Sequence, residues 1–111
     1  MKKLSILIIF AFITYGCNKA GTESVTPKCV EDKIKDFNTP SICKDVKVDE
    51  YHFQGQTVYL FDAEICGADM ASEVINSECI TMGYLGGIIG NTKINGEEFS
   101  NATFIKTIWK K

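Results

Sequence analysis

Four cysteines, Cys29, Cys43, Cys66 and Cys79, constrain this chain more than any other feature, because they recur at separations of 14, 23 and 13 residues through its patterned part. No two of them form a Cys-x-x-Cys pair, and their spacings match no zinc module, so neither a metal nor a cofactor is expected. An even number of cysteines in an exported chain is read as two disulfides, with three possible connectivities. The short-loop pairing, Cys29–Cys43 with Cys66–Cys79, is the one expected: each loop would stabilise the fold by about 3 kcal/mol by restricting the unfolded chain. At 111 residues there is room for one small domain, whose modest core makes such cross-links valuable.

The case for export lies at the N-terminus. Lys2 and Lys3 form a short basic region, followed by the apolar run LSILIIFAFITY over residues 4–15. As a helix that run would span about 18 Å, well short of a hydrocarbon core of about 30 Å, so it suits a signal peptide and not a membrane span. It ends at Gly16-Cys17, which resembles a bacterial lipobox, with Thr14 and Tyr15 at the positions where Leu and Ala or Ser are commonest. The expectation is a lipoprotein signal over residues 1–16, a lipid anchor on Cys17, a polar tether over residues 17–27 and a folded domain over residues 28–111. Two or more acyl chains hold a protein firmly where one does not. Asn18, not Asp, follows the lipid cysteine; this favours the outer membrane of a bacterial envelope, on either face.

All 12 basic side chains are lysines, against 14 acids, for a formal charge of −2. The absence of Arg, the usual residue for bidentate phosphate and base-edge contacts, argues with the acidic balance against nucleic-acid binding. Removal of the signal segment leaves 10 lysines against 14 acids. A hydrophobic fraction of 45% excludes an intrinsically disordered chain.

Hydrophobic periodicity supplies the elements. Thr26-Pro27 reads as a helix start, with Thr26 as N-cap and Pro27 at the first helical position. Cys29, Val30, Lys33, Ile34 and Phe37 then follow helical spacing, until Asn38-Thr39-Pro40 stops the helix. Residues 46–53 and 56–61 read as strands joined at Gln54-Gly55, a two-residue hairpin turn. The large residues of the first strand switch from Val46 and Val48 to Tyr51 and Phe53, which predicts a bulge or bend near Asp49-Glu50. In the second strand Val58 and Leu60 oppose Thr57, Tyr59 and Phe61, so it is expected to be central and covered on both faces. Residues 62–69 form a turn-rich connector, and a second hairpin is predicted around Asn76-Ser77. A glycine-rich bend follows over residues 82–90, then a tight turn over residues 92–96 and a last strand over residues 103–109. In that strand Phe104 and Ile108 are expected on one face, Ile105 and Trp109 on the other.

Candidate chemistry is sparse. Gly86-Gly87-Ile88-Ile89-Gly90 lacks the order of a phosphate-binding loop and is read as a sharp bend needing backbone freedom. Asp62, Glu64 and Asp69 do not follow the order of a calcium-binding loop. Cys66 with His52 is the one conceivable nucleophile–base pair, but His52 beside Tyr51 and Phe53 reads as an ordinary strand residue. Glu97-Glu98, adjacent on a strand, would point to opposite faces and form no carboxylate dyad. Asn101-Ala102-Thr103 matches a glycosylation sequon, which carries little meaning in a bacterial protein. One His, no Arg and no convergent acid–base set point away from an enzyme.

Residues 51–61 (YHFQGQTVYLF), Cys66-Gly67-Ala68-Asp69, Cys79 and residues 85–91 (LGGIIGN) together resemble a family of small exported bacterial lipoproteins with a four-cysteine domain of unknown function. Its members pair a Q-G-x-x-V-Y strand with cysteines and a later G-G-I-x-G segment. The resemblance covers most of residues 28–109. It implies localisation and fold class, and no activity.

The fold expected is therefore α+β: one N-terminal helix packed on a small antiparallel sheet of four or five strands, pinned by two disulfides. The function expected is that of a lipid-anchored, non-catalytic binding or interaction module facing an exported or envelope partner. The alternative is a structural or assembly accessory of the cell envelope.

Overall fold

The computed structural model describes residues 25–67 and 69–111. The expected signal segment, Cys17 and the tether as far as residue 24 lie outside the described residues. The described residues fold as α+β, with one α-helix among them against a five-stranded antiparallel sheet. The helix α1 (Lys28–Phe37) is followed by β1 (Lys47–Phe53), β2 (Gln56–Asp62), β3 (Ala71–Asn76), β4 (Thr81–Gly86), β5 (Lys93–Ile94), β6 (Glu97–Glu98) and β7 (Thr103–Lys110). The main sheet runs β4-β3-β2-β1-β7, and β5 and β6 form a separate two-stranded ribbon.

Helix α1 begins one residue later than its sequence suggests. The Pro27 carbonyl accepts from the amides of Val30 and Glu31, so Pro27 is the N-cap and Lys28 the first helical residue. The apolar stripe of α1 lies on one face of the sheet, where Val30, Ile34 and Phe37 pack with Val48, Tyr59, Phe61, Ile75 and Trp109. Phe37 meets the rings of Phe61 and Trp109 edge-on, at centroid distances of 5.3 and 6.0 Å. The opposite face carries Phe53, Val58, Leu60, Val74 and Leu85 under Ile94 and Phe99 from the β5–β6 ribbon and the 3-10 turn after it. Strand β2 is thus central and covered on both sides, as its all-round apolar sequence predicts.

The switch of large residues along β1 has a different cause from the bend expected. Strand β1 pairs with β2 in unbroken register from Lys47↔Asp62 to Phe53↔Gln56. Register does slip against β7 on either side of Asp49-Glu50, but the unpaired residues, Ile105 and Ile108, belong to β7. Val48 serves the helix-side core and Phe53 the ribbon-side core; two covers at opposite ends of the strand produce the switch. The bulges also bring Ile108 onto the same side as Trp109, where both pack against the helix-side cluster, contrary to the simple alternation expected. The other edge strand, β4, carries a similar slip at Met82. Irregularity on both edges leaves the central pairing intact while blunting strands that would otherwise invite further pairing.

The disulfides join Cys29 to Cys79 and Cys43 to Cys66, with Cα separations of 6.2 and 5.6 Å. This corrects the short-loop pairing. A ten-residue helix is a rod about 15 Å long that separates Cys29 from Cys43. Strand β3, six residues long, separates Cys66 from Cys79 by roughly 20 Å. Short loops in sequence therefore become long spans in space. The observed bonds instead tie the first turn of α1 to the β3–β4 turn, and the loop before β1 to the connector after β2.

Candidate functional site

The residues weighed for catalysis do not converge. His52 is exposed near the β1–β2 turn, paired across the sheet with Thr57. Cys66 follows the far end of β2 and is bonded to Cys43. Among the described residues no three of His, Cys, Asp and Glu gather at a point that would hold a metal ion. Glu97 and Glu98 part company as adjacent strand residues do: Glu97 accepts from Gln54 and Asn101, and Glu98 from Thr92.

Acidic groups inside the sheet are committed to it. Asp49 is buried, accepting a 2.6 Å hydrogen bond from Thr107 Oγ1 and facing Lys47 Nζ at 3.3 Å. Burial, and then the neighbouring carboxylate of Asp49, push the Tyr51 hydroxyl above its ordinary value of 10.0. Burial and Glu50 do the same to Tyr59. Neither phenol supplies a base at neutral pH.

The candidate feature is the loop after β4. Gly86 and Asn91 exchange two backbone hydrogen bonds, at 2.8 and 3.1 Å, and the Gly90 amide donates to the Gly87 carbonyl at 3.1 Å. Ile88 and Ile89 are the two central residues of the resulting turn. Gly86, Gly87 and Gly90 all have positive φ, of 77°, 78° and 64°, which is why this bend needs glycine. The Asn91 side chain fixes it from beneath, donating from Nδ2 to the carbonyls of Tyr84 and Lys93 at 2.6 and 2.7 Å. The Gly87 amide reaches across to the Met70 carbonyl at 3.2 Å, joining the loop to the start of β3.

This scaffold holds two large apolar side chains in water: Ile88 is 83% exposed and Ile89 87%. Tyr84, on the helix-side face of β4, is 53% exposed. With Ala71, Gly86 and Asp69 they border a shallow groove of about 470 Å³. A second cleft of about 200 Å³ lies along the helix, bordered by Phe37, Phe61, Asp36 and the Lys33–Glu73 ion pair of 3.1 Å. The sequence reading found the bend but missed its apolar tip. The available signal was two consecutive isoleucines enclosed by glycines, since a tight turn cannot bury both.

No curated protein and no solved structure matches this chain. A family model described as a domain of unknown function, DUF6970, matches residues 35–111, from within α1 to the last residue. The chain belongs to that family.

Proposed function

We propose that this protein is a lipid-anchored, non-catalytic interaction module of the bacterial cell envelope, probing its partner with the loop after β4. The observation that carries the reading is the rigidly built turn that keeps Ile88 and Ile89 in solvent. Such a turn serves no purpose in the core, and contiguous exposed apolar surface marks interaction sites. Two disulfides support an oxidising, exported setting. The lipobox-like Gly16-Cys17 supports the anchor, and the absence of Asp at position 18 supports the outer membrane.

The test uses the full chain in its native host. Wild-type protein should fractionate with membranes, and chemical cross-linking of intact envelopes should shift it into a complex larger than a monomer. Cys17→Ser should release it from the membrane or leave its signal uncut. A wild-type chain that is soluble with an unmodified Cys17 overturns the anchor. A chain that stays monomeric after cross-linking overturns the interaction role.

A further inference from the structure

Position and charge around the exposed loop say more about what it meets. Strand β3 runs from Ala71, beside the loop, to Asn76 at the opposite end of the sheet. Cys79 lies just beyond that opposite end and is bonded to Cys29 in the first turn of α1. The chain therefore enters the domain at one end of the sheet and presents Ile88 and Ile89 at the other. With the anchor of the proposed function preceding residue 28, the apolar tip points away from the point of attachment.

The groove at the tip is bordered by negative charge, although Lys93 follows the loop, its carbonyl held by Asn91 at 2.7 Å. Between Lys47 and Lys93 the chain has seven acids and no Lys or Arg. Asp69 is the charged residue bordering the groove beside Ile88 and Ile89. In the neighbouring cleft Lys33 is occupied by Glu73, which leaves Asp36 as the excess charge. The basic residues of the sheet gather on the opposite edge, where β7 and the chain end carry Lys106, Lys110 and Lys111. A loop that dips into lipid is usually flanked by Lys or Arg, which anionic headgroups attract. Here the charge bordering the groove is Asp69, which disfavours an anionic headgroup there, and Lys93 alone follows on the C-terminal side.

We propose, resting on the interaction role above, that Ile88, Ile89 and Tyr84 form the anchor of a docking surface for an exported protein presenting an apolar pocket rimmed by Lys or Arg. The two isoleucines supply the buried centre, and the acids at Asp69 and Asp36 supply the complementary rim. Central apolar anchors set the lifetime of such a complex, and rim charges set its rate of association and its salt dependence.

The test places a photo-reactive phenylalanine analogue at Tyr84 in the full chain, and separately at Phe104 on β7, and irradiates intact host cells. The expected result is an adduct from position 84 to a protein that mass spectrometry identifies as carrying a basic surface. In isolated envelopes its yield should fall as salt is raised from about 0.05 to about 0.5 M, where screening shortens the reach of charge. Adding Ile88→Asp and Ile89→Asp should lower the yield at least about tenfold, the loss expected when a buried Ile side chain leaves an interface. Asp69→Lys should lower it too. An unchanged urea midpoint shows that the variants still fold. Adducts from position 104 alone overturn the site and leave the interaction role standing. Adducts from position 84 to lipid, to a second copy or to an acidic protein overturn the proposed partner. No adduct from either position overturns the interaction role itself.

Discussion

Gln54 Nε2 donates to Glu97 Oε1 at 3.0 Å while Gln54 Oε1 accepts from Asn95 Nδ2 at 3.2 Å, so one side chain joins two hairpin turns that are distant in sequence. Both turns have positive φ at their two central residues: 53° and 76° at Gln54-Gly55, 51° and 81° at Asn95-Gly96. That is the backbone of a type I′ turn, which matches strand twist. Asn-Gly is its usual sequence. Gln at the first position is a poorer conformational choice, and here its longer amide reaches the β5–β6 ribbon.

This network makes Glu97 a pH-dependent contributor. Hydrogen bonds from Gln54 and then Asn101 hold its carboxyl below the ordinary value of 4.5. A depressed folded-state value means that the stabilisation is present above 4.5 and lost as pH falls through and below it. Glu97→Gln should therefore lower the urea midpoint at neutral pH, and the gap to wild type should narrow as pH falls below 4.5 and close once it is below the depressed folded-state value, where both side chains are uncharged. Gln54→Ala should raise the Glu97 titration midpoint in an NMR titration. A gap that persists in acid would show that the effect is not ionic.

The disulfide pairing is checked by digesting unreduced protein. Peptides containing Cys29 and Cys79 should emerge linked, as should those containing Cys43 and Cys66; a Cys29–Cys43 link would refute the topology. Replacing both cysteines of a bond by Ala should cost about 4 kcal/mol for the separation of 50 residues and about 3 kcal/mol for that of 23. Comparative urea denaturation measures the order of the two.

The β1–β2 turn offers a sharper contrast. Nothing lies within 4 Å of where a Gly55 side chain would sit, yet φ is +76°. Substitution there is opposed by backbone conformation and not by crowding. Gly55→Val should cost more than the ~1 kcal/mol of a mild backbone change, and Gly55→Asn much less, because Asn tolerates the left-handed region. Gly21→Val, in the expected tether, should leave the midpoint unmoved. Equal midpoints for the two Val variants would contradict the assignment of either segment.

The physical contrast between local and long-range order explains what the sequence discloses. The Gln54-Gly55 turn, the central character of β2 and the ten-residue helix are local patterns, each carried by periodicity or by one glycine. The cysteine pairing depends on where α1 crosses the sheet, which no periodicity encodes; treating residues 28–37 and 71–76 as rigid rods would have excluded the short-loop pairing and left two connectivities, of which the crossing of α1 selects one. The β5–β6 ribbon escaped because strands of two residues have no period, and was visible just as a tight turn over residues 92–96. The bulges of β7 displace Ile105 and Ile108 from simple alternation, so the facing of that strand was misread. At the candidate site, the bend was legible in its glycines, whereas the exposure of Ile88 and Ile89 depends on Asn91 clamping the turn from below.

Isoleucines in two settings separate what holds the fold from what faces a partner. Ile75 is fully buried against Val30, Val48 and Tyr59, whereas Ile88 and Ile89 stand 83% and 87% exposed. Ile75→Ala removes buried methyl groups and leaves a cavity beneath the helix, so it should cost about 2–5 kcal/mol. Ile88→Ser with Ile89→Ser removes more apolar surface altogether, but that surface is already in water. Exposed substitutions away from caps and turns needing special backbone usually stay within about 0.5 kcal/mol each. The double variant should therefore unfold near the wild-type midpoint, followed by the fluorescence of Trp109 beneath the helix. A cost for the double variant approaching that of Ile75→Ala would mean that the loop folds back onto the domain in solution. Two isoleucines removable without loss of stability would instead be a feature the fold does not need, retained on a loop whose glycines and Asn91 hold them away from the core.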